Sequence, residues 1–183
     1  MIYNHNCIKC DLSETCRTVC MEGHVGTLPK MIVGEAPGRN EDEVGKPFVG
    51  QAGQLLTGTI KAAGYSRDQV YITNIVKCRP PGNRAPNHSE IDACLSYLVK
   101  EIQVYEIEHL LLLGNVAAQT VLGCRETITE VRGTWFTQSG LDVLATFHPA
   151  YINRKGIHSD EYRLFLKDVT TFLMKEGCET SDG

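Results

Sequence analysis

The sequence predicts an α/β fold, namely a three-layer α/β/α domain around a central four-stranded parallel sheet. Four short apolar runs with strand-like composition occur along the 183 residues, and a stretch with helical periodicity follows each of them. Strands that alternate with helices in this way favour parallel pairing through helical crossovers. A glycine-rich turn directly follows the first apolar run, where open parallel sheets bind ligands.

The predicted strands are short and rich in aliphatic, β-branched or aromatic residues, and they cover residues 30–33, 70–76, 110–113 and 141–146. The predicted helices show apolar residues at three- and four-residue spacing. They run from just after Gly50 to Gly64, from a cap at Asn87 or Ser89 to about residue 102, over residues 114–122, and over residues 160–174.

The length and composition are typical of one globular domain, which we place at residues 1–175. Residues 1–29 form a cysteine-bearing segment packed on it, and residues 176–183 form a tail that we expect to be disordered. Hydrophobic residues make up 42% and charged residues 22% of the chain. No run of about 20 apolar residues and no signal peptide is visible, so we expect a cytoplasmic protein without a membrane span.

The net charge of −4 predicts no strong overall attraction to nucleic acid, so a basic patch would have to be local. The loop at residues 77–86 is one such patch, with three basic residues and three prolines.

The chain contains eight cysteines, which in a reducing compartment are more often metal or cluster ligands than disulfide partners. Cys7 and Cys10 form a C-x-x-C pair, which by itself fits half a zinc site, half an iron–sulfur site or a redox pair. Cys78 and Cys94 lie farther along the chain, with fifteen residues between them. Four thiolates suit zinc or a 4Fe–4S cluster, although Cys94 also fits a helix's apolar stripe.

The remaining cysteines leave the ligand set open. Cys16 and Cys20 are rival ligands that spacing alone does not exclude, whereas we interpret Cys124 and Cys178 as structural or incidental.

Polar residues follow three of the predicted strands at the point where each strand ends. These are Glu35 after the first strand, Asn74 in the second and His148 after the fourth. Each has an ordinary alternative: a surface acid, a turn asparagine and a loop histidine bonded to backbone. Because the carboxyl ends of parallel strands share one edge of the sheet, their joint position predicts a common binding cleft.

Several motifs in order resemble the family 4 uracil-DNA glycosylases, the iron–sulfur members of the uracil glycosylase superfamily. The motifs are Gly34-Glu35-Ala36-Pro37-Gly38 with Glu41-Asp42, Pro47-Phe48-Val49-Gly50, Thr73-Asn74, Lys77-Cys78-Arg79-Pro80-Pro81 and His148-Pro149-Ala150. The resemblance covers roughly residues 1–175. It implies a monofunctional DNA glycosylase, a hydrolase that removes uracil from DNA in base-excision repair.

The resemblance also implies the ligand set and the base pocket. Cys7, Cys10, Cys78 and Cys94 would hold a structural 4Fe–4S cluster, with the Cys16–Cys20 pair as a departure from the family pattern. In the pocket, Asn74 would read uracil, Phe48 would stack on it, and the first turn at Ala36 would supply backbone N–H groups.

For the chemistry, the resemblance implies that His148 stabilises the departing uracil anion. Glu35 or Glu41 would act on water or on the cationic sugar, and the sequence does not choose between them.

Arg79, Asn83, Arg84 and Arg154 would contact DNA, aided by Lys155. The expected partner is uracil-containing DNA, single- or double-stranded, bound by a monomer, and binding should weaken as salt rises.

Two alternatives come from other classes of protein. A non-enzymatic zinc- or cluster-bearing nucleic-acid-binding protein explains the cysteines and the basic loop, but not Asn74, Phe48 and His148. A phosphate-binding hydrolase explains the glycine turn, but the turn lacks the Gly-Lys-Ser/Thr step of a P-loop.

Overall fold

The fold is that of a computed structural model in which residues 2–176 are described, so the predicted disordered tail lies, apart from residue 176, outside the described residues. The strands are β1 (Lys30–Gly34), β2 (Tyr71–Asn74), β3 (His109–Leu113), β4 (Trp135–Gln138) and β5 (Leu141–Thr146). The helices are α1 (Leu12–Thr15), α2 (Arg39–Val44), α3 (Gln51–Ala62), α4 (His88–Val104), α5 (Gly114–Leu122), α6 (Ile128–Val131), α7 (Pro149–Lys155) and α8 (Asp160–Met174). Short 3₁₀ turns occupy Arg67–Gln69 and Pro81–Asn83.

One sheet with strand order β2-β1-β3-β5-β4 forms the middle layer. The four predicted strands are all present, and β1, β2, β3 and β5 pair in parallel as expected. The predicted four-stranded sheet needs one correction, because β4 adds an antiparallel fifth strand beside β5. This edge strand is short and half-exposed, so it lacks the continuous apolar run that marked the other four.

A two-residue hairpin joins β4 to β5, and the chemistry of its turn explains why the sequence did not reveal it. Ser139 and Gly140 both have positive φ, at 51° and 82°. The usual sequence of such a turn is Asn-Gly or Asp-Gly, so with serine in the first position the sequence does not identify the turn.

Alternate residues of the strands point to opposite faces, and each face packs against its own helices. The face toward α4, α5 and the N-terminal segment carries Met31, Val33, Leu110, Leu112, Val143 and Ala145. The face toward α3, α7 and α8 carries Ile32, Ile72, Leu111, Leu113 and Leu144. The three-layer prediction is therefore confirmed, and the strands form a rigid, buried base for the loops at their carboxyl ends.

Local signals set several element boundaries. Asn87 caps α4: its side chain accepts the N–H of Glu90, and the Glu90 carboxylate accepts the N–H of Asn87. Of the two predicted caps, the structure therefore uses Asn87. The predicted strand at 70–76 is shorter than expected and ends at Asn74. In the described part of the chain, no helix is both long and apolar enough to cross a membrane.

Candidate active site and cysteine pocket

A cleft of about 410 Å³ opens at the carboxyl ends of β1, β2 and β5, within the size range of small-molecule sites. It is lined by Glu35, Ala36, Pro37, Gly38, Glu41, Phe48, Ala52, Asn74, Pro80, Asn83, Arg84, His148, Ala150, Tyr151 and Arg154. The structure thus brings together nearly all the residues that the sequence predicted for catalysis, base binding and DNA contact. Arg79 is the exception, since it does not line the cleft.

Asn74 ends β2 directly beside Gly34, the last residue of β1. Its side chain is buried, yet Oδ1 has no hydrogen-bond partner. A buried amide oxygen without a partner is costly unless a ligand supplies the donor. A Cβ on Gly34 would lie 2.4 Å from the Phe48 ring and 2.5 Å from Asn74 Oδ1, so glycine leaves room for both side chains.

Phe48 adopts an unusual backbone conformation, with φ of 51°. Two features hold it there. Gly53 leaves space for the Phe48 carbonyl, which a Cβ would meet at 1.8 Å. Arg67 donates to the carbonyl oxygens of Pro47 at 2.7 Å and Phe48 at 3.2 Å. The ring is thereby fixed at the cleft, with its centroid 5.9 Å from that of His148.

His148 follows β5 and caps α7. Its Nδ1 accepts the N–H of Ala150 at 3.1 Å, so the neutral ring carries its proton on Nε2. Burial, reinforced by the positive charge of Arg154 and opposed by Glu41, lowers the pKa of His148 to about 4. At neutral pH the ring is therefore an uncharged donor through Nε2–H.

The two candidate acids differ in what binds them. Glu41 Oε1 accepts the N–H groups of Val49 at 2.9 Å and Gly50 at 2.8 Å, so it fixes the loop that carries Phe48. Glu35 lines the cleft, and among the described residues its carboxylate makes no hydrogen bond. Burial raises the pKa of Glu35 above its ordinary value. Glu35 is thus the carboxylate that remains available to a bound molecule.

The predicted DNA contacts are unequal. Arg84 lines the cleft but binds Glu90 through two contacts, at 2.6 and 2.9 Å. Arg79 donates to Asn83 Oδ1 at 2.7 Å. Arg154 makes no ion pair with any described residue and packs beside the Tyr151 ring. Of the predicted arginines at the cleft, Arg154 is therefore the one whose charge no carboxylate offsets.

A second, smaller pocket contains all four predicted cluster ligands: Cys7, Cys10, Cys78 and Cys94. Cys20 lines the same pocket, whereas Cys16 lies beside Cys78. Lys9 anchors the C-x-x-C loop to α4 by donating to Ser96 at 2.9 Å.

The chemistry of this donor set fits a cluster. The N–H of Cys20 donates to Cys78 Sγ at 3.3 Å, and the N–H of Lys77 donates to Cys94 Sγ at 3.2 Å. Bonds of this kind stabilise thiolates that bind iron. Burial raises the pKa of Cys94 to about 11 and also raises the pKa of Cys78. Among the described residues, no three His, Cys, Asp or Glu side chains are grouped so as to hold one metal ion.

Sequence reasoning missed three supporting features. Tyr151, four residues after Phe147, packs against that ring at a tilt of 41° and lines the cleft. Arg67 follows the predicted α3 in a polar stretch, and no pattern in the sequence indicates that it contacts Phe48. Lys77 belonged to the basic loop by sequence, but its side chain is buried in an ion pair with Glu101.

Comparison with known proteins agrees with this geometry. The sequence model of the uracil DNA glycosylase superfamily matches residues 21–170. The chain therefore belongs to this superfamily, as the resemblance of its motifs predicted.

The relatives identify the branch. The chain is 42% identical to a type-4 uracil-DNA glycosylase of Pyrobaculum aerophilum, over 92% of this chain and 88% of that protein. It is 39% identical to a type-4 uracil-DNA glycosylase of Thermotoga maritima, over 93% of this chain and 91% of that protein. A type-5 uracil-DNA glycosylase of Pyrobaculum aerophilum is 32% identical, over 67% of this chain and 62% of that protein. The type-4 relatives thus match more closely and over more of the chain.

Proposed function

We propose that this chain excises uracil from DNA by hydrolysing the N-glycosidic bond, as the first step of base-excision repair. The observation that carries the proposal is the unpaired Asn74 Oδ1, buried in a cleft beside Phe48 and His148. A glycosylase must bring its target base out of the helix into such a pocket.

The cleft offers partners for uracil on three sides. Uracil presents an N3–H donor next to its O4 acceptor, and the Asn74 amide presents Oδ1 and Nδ2–H in the matching order. The Phe48 ring would stack on the face of the base. The backbone at Ala36, in the turn after β1, would contact its remaining edge. Pairing of the buried Oδ1 would favour bases with an N–H at this position.

His148 would stabilise the leaving group. When the C1′–N1 bond breaks, its electron pair stays on uracil, and the negative charge spreads to O2. The neutral Nε2–H donor would bond this oxygen, and because the low pKa keeps the ring uncharged, His148 would act by donating a hydrogen bond and not by transferring a proton.

Glu35 would then orient the water that adds to C1′ and take its proton, or stabilise the positive charge on the sugar. Its carboxylate is free at the cleft, whereas the Glu41 carboxylate holds the Phe48 loop. We therefore assign the role toward water to Glu35 and a supporting role to Glu41.

Cys7, Cys10, Cys78 and Cys94 would hold a 4Fe–4S cluster, with Cys20 as a further thiol at the same pocket. The cluster would cross-link the N-terminal segment, the loop after β2 and α4, which contribute these cysteines. Its role in the proposal is structural, and no catalytic step involves it.

Uracil-containing DNA would pass over Arg154 and Arg84 at the cleft and over Asn83 beside them. Arg79, which donates to Asn83 on the loop after β2, would contact the DNA beyond the cleft. A monomer that acts in the cytoplasm remains our prediction from the sequence.

The test is cleavage of a labelled oligonucleotide that contains one uracil, with a thymine oligonucleotide as the control. We expect uracil-dependent abasic sites from the wild type, and a single-turnover rate lower by of order 10²-fold for His148→Ala. Anaerobically purified protein with full iron content that releases no uracil from single- or double-stranded DNA would refute the enzyme and favour a nucleic-acid-binding module.

A further inference from the structure

A buried ion pair lies directly behind the residue that would read uracil. Lys77 Nζ and Glu101 Oε2 are 2.7 Å apart, and the two side chains are 2% and 0% exposed. A pair buried this completely is often no more stabilising than apolar residues of similar volume, so stability alone does not account for it.

Each of the three donors of the Lys77 ammonium finds an acceptor. One reaches Glu101, the second reaches Thr73 Oγ1 at 2.5 Å, and the third reaches the carbonyl oxygen of Asn74 at 2.8 Å. A fully satisfied ammonium has one orientation, so the third bond fixes the peptide group that follows Asn74.

That peptide group is held at both ends. Its carbonyl accepts from Lys77, and its N–H, which belongs to Ile75, donates to the carbonyl of Gly34 at 2.9 Å. The Asn74 side chain leaves the chain immediately before this group. The direction of the amide toward the cleft therefore depends on the bond from Lys77.

The two ends of the Lys77–Glu101 pair are themselves anchored. The main chain of Lys77 donates to Cys94 Sγ and accepts the N–H of Met21 at 2.9 Å. Glu101 Oε1 accepts from Tyr3 at 2.6 Å and from Thr73 at 3.0 Å. The pair is thus fixed by the N-terminal segment and the cysteine pocket, on the side away from the cleft.

We propose that Lys77, held by Glu101, is a positioning residue that fixes the Asn74 peptide so that the amide faces the base. The expected effect on the excision rate rests on the proposed uracil-excising function. The expected effect on the Asn74 peptide group can be measured without substrate.

The test separates positioning from stability. Lys77→Met leaves Glu101 buried and unpaired, so we expect a large fall in melting temperature. Lys77→Met combined with Glu101→Gln removes both charges and retains an acceptor for Tyr3 and Thr73, so much of the melting temperature should return. The hydrogen bond from position 77 to the Asn74 carbonyl is absent from both Lys77→Met and the double variant. Glu101→Gln alone is the matched variant, because it loses the charge pair and keeps the Lys77–Asn74 bond.

The kinetic readout is the single-turnover excision rate per folded molecule, together with the dissociation constant for DNA. For the double variant we expect the rate to fall roughly tenfold or more with DNA binding unchanged, whereas Glu101→Gln, which weakens the hold on Lys77 but keeps its bond to Asn74, should lower the rate clearly less. Val169→Ala, in the core on the far side of the sheet, and Lys100→Met, exposed on α4, control for destabilisation and for lost charge.

The readout without substrate is hydrogen exchange at the Ile75 amide, with Leu111 in β3 as the reference. We expect faster exchange at Ile75 in the double variant and no change at Leu111. A double variant with wild-type rate and wild-type Ile75 protection would overturn the proposal. Should it not fold, Lys77→Met combined with Glu101→Met, which replaces the whole pair by apolar side chains, decides by the same two readouts. A wild type that excises no uracil would refute the proposed function, while the Ile75 exchange still tests Lys77.

Discussion

The cleft and the cysteine pocket lie on opposite sides of Lys77, and they are built in different ways. The cleft rests on the ends of three paired strands, and among the described residues Asn74 Oδ1 and the Glu35 carboxylate there have no partner and are available to a ligand. The cysteine pocket is assembled from an N-terminal loop, the loop after β2 and α4, and its cysteines are buried except for Cys10, which is half-buried. A site on strand ends is rigid without its ligand, whereas a site between distant segments depends on what cross-links them.

The comparison yields predictions about each region, and the largest concerns the two acids of the cleft. Glu35→Gln should lower the single-turnover rate by of order 10²-fold, because the freely available carboxylate acts on the reaction. Glu41→Gln should lower the rate less than Glu35→Gln does, together with some fall in melting temperature. The reason is that an amide oxygen at position 41 still accepts from Val49 and Gly50.

The pH–rate profile checks the same assignment. Since burial raises the pKa of Glu35, the wild-type rate should fall on the acid side at a pH higher than the ordinary pKa of a glutamate. Glu35→Gln should remove that fall and Glu41→Gln should retain it. Equal losses in both variants would contradict the division of roles.

In the cysteine pocket, serine at any of the four proposed ligands should lower iron from about four atoms per chain to a small fraction. Cys124→Ser, outside the pocket, is the control. The informative variant is Cys20→Ser, because Cys20 lines the pocket without belonging to the proposed set. Iron content and visible absorbance near the wild-type values would support the set, whereas their loss would make Cys20 a ligand.

The shape of the cleft depends on Gly34. Gly34→Ala should lower excision by roughly tenfold, because the added Cβ would collide with both Phe48 and Asn74. Gly58→Ala, in α3 with nothing within 4 Å of the added atom, is the matched control and should be neutral or stabilising. A Gly34→Ala protein with unchanged uracil release would show that the cleft is not the base pocket.

The smallest effect is the pH dependence of stability that His148 causes. Its pKa of about 4 lies below the ordinary 6.5, so the unfolded chain binds more protons between these values. This stabilising contribution is complete above the ordinary value and declines as the pH falls toward 4, by at most about 2 kcal/mol near pH 5. His148→Asn keeps an acceptor for Ala150 and should show a flatter denaturation profile, while NMR titration of the wild-type ring should give the low pKa directly.

The sequence by itself determined the alternation of strands and helices, because a buried face requires apolar residues at the spacing typical of each kind of element. It also determined which polar residues meet at the cleft, since parallel strands end at one edge. Asn74, His148 and Glu35 were found for that reason. The edge strand β4 was not found, because an edge strand buries too little surface to need an apolar run.

Only the tertiary structure decided which atoms are paired. It showed that Glu41 holds a loop while Glu35 stays free, that Arg84 is bound to Glu90, and that Cys20 reaches the pocket. It also placed Lys77, which by sequence belongs to a basic surface loop, in a buried pair with Glu101. Such pairings depend on contacts between residues far apart in the chain. The local sequence pattern does not predict these pairings, because periodicity indicates which face of a strand or helix is buried and not which residue it contacts.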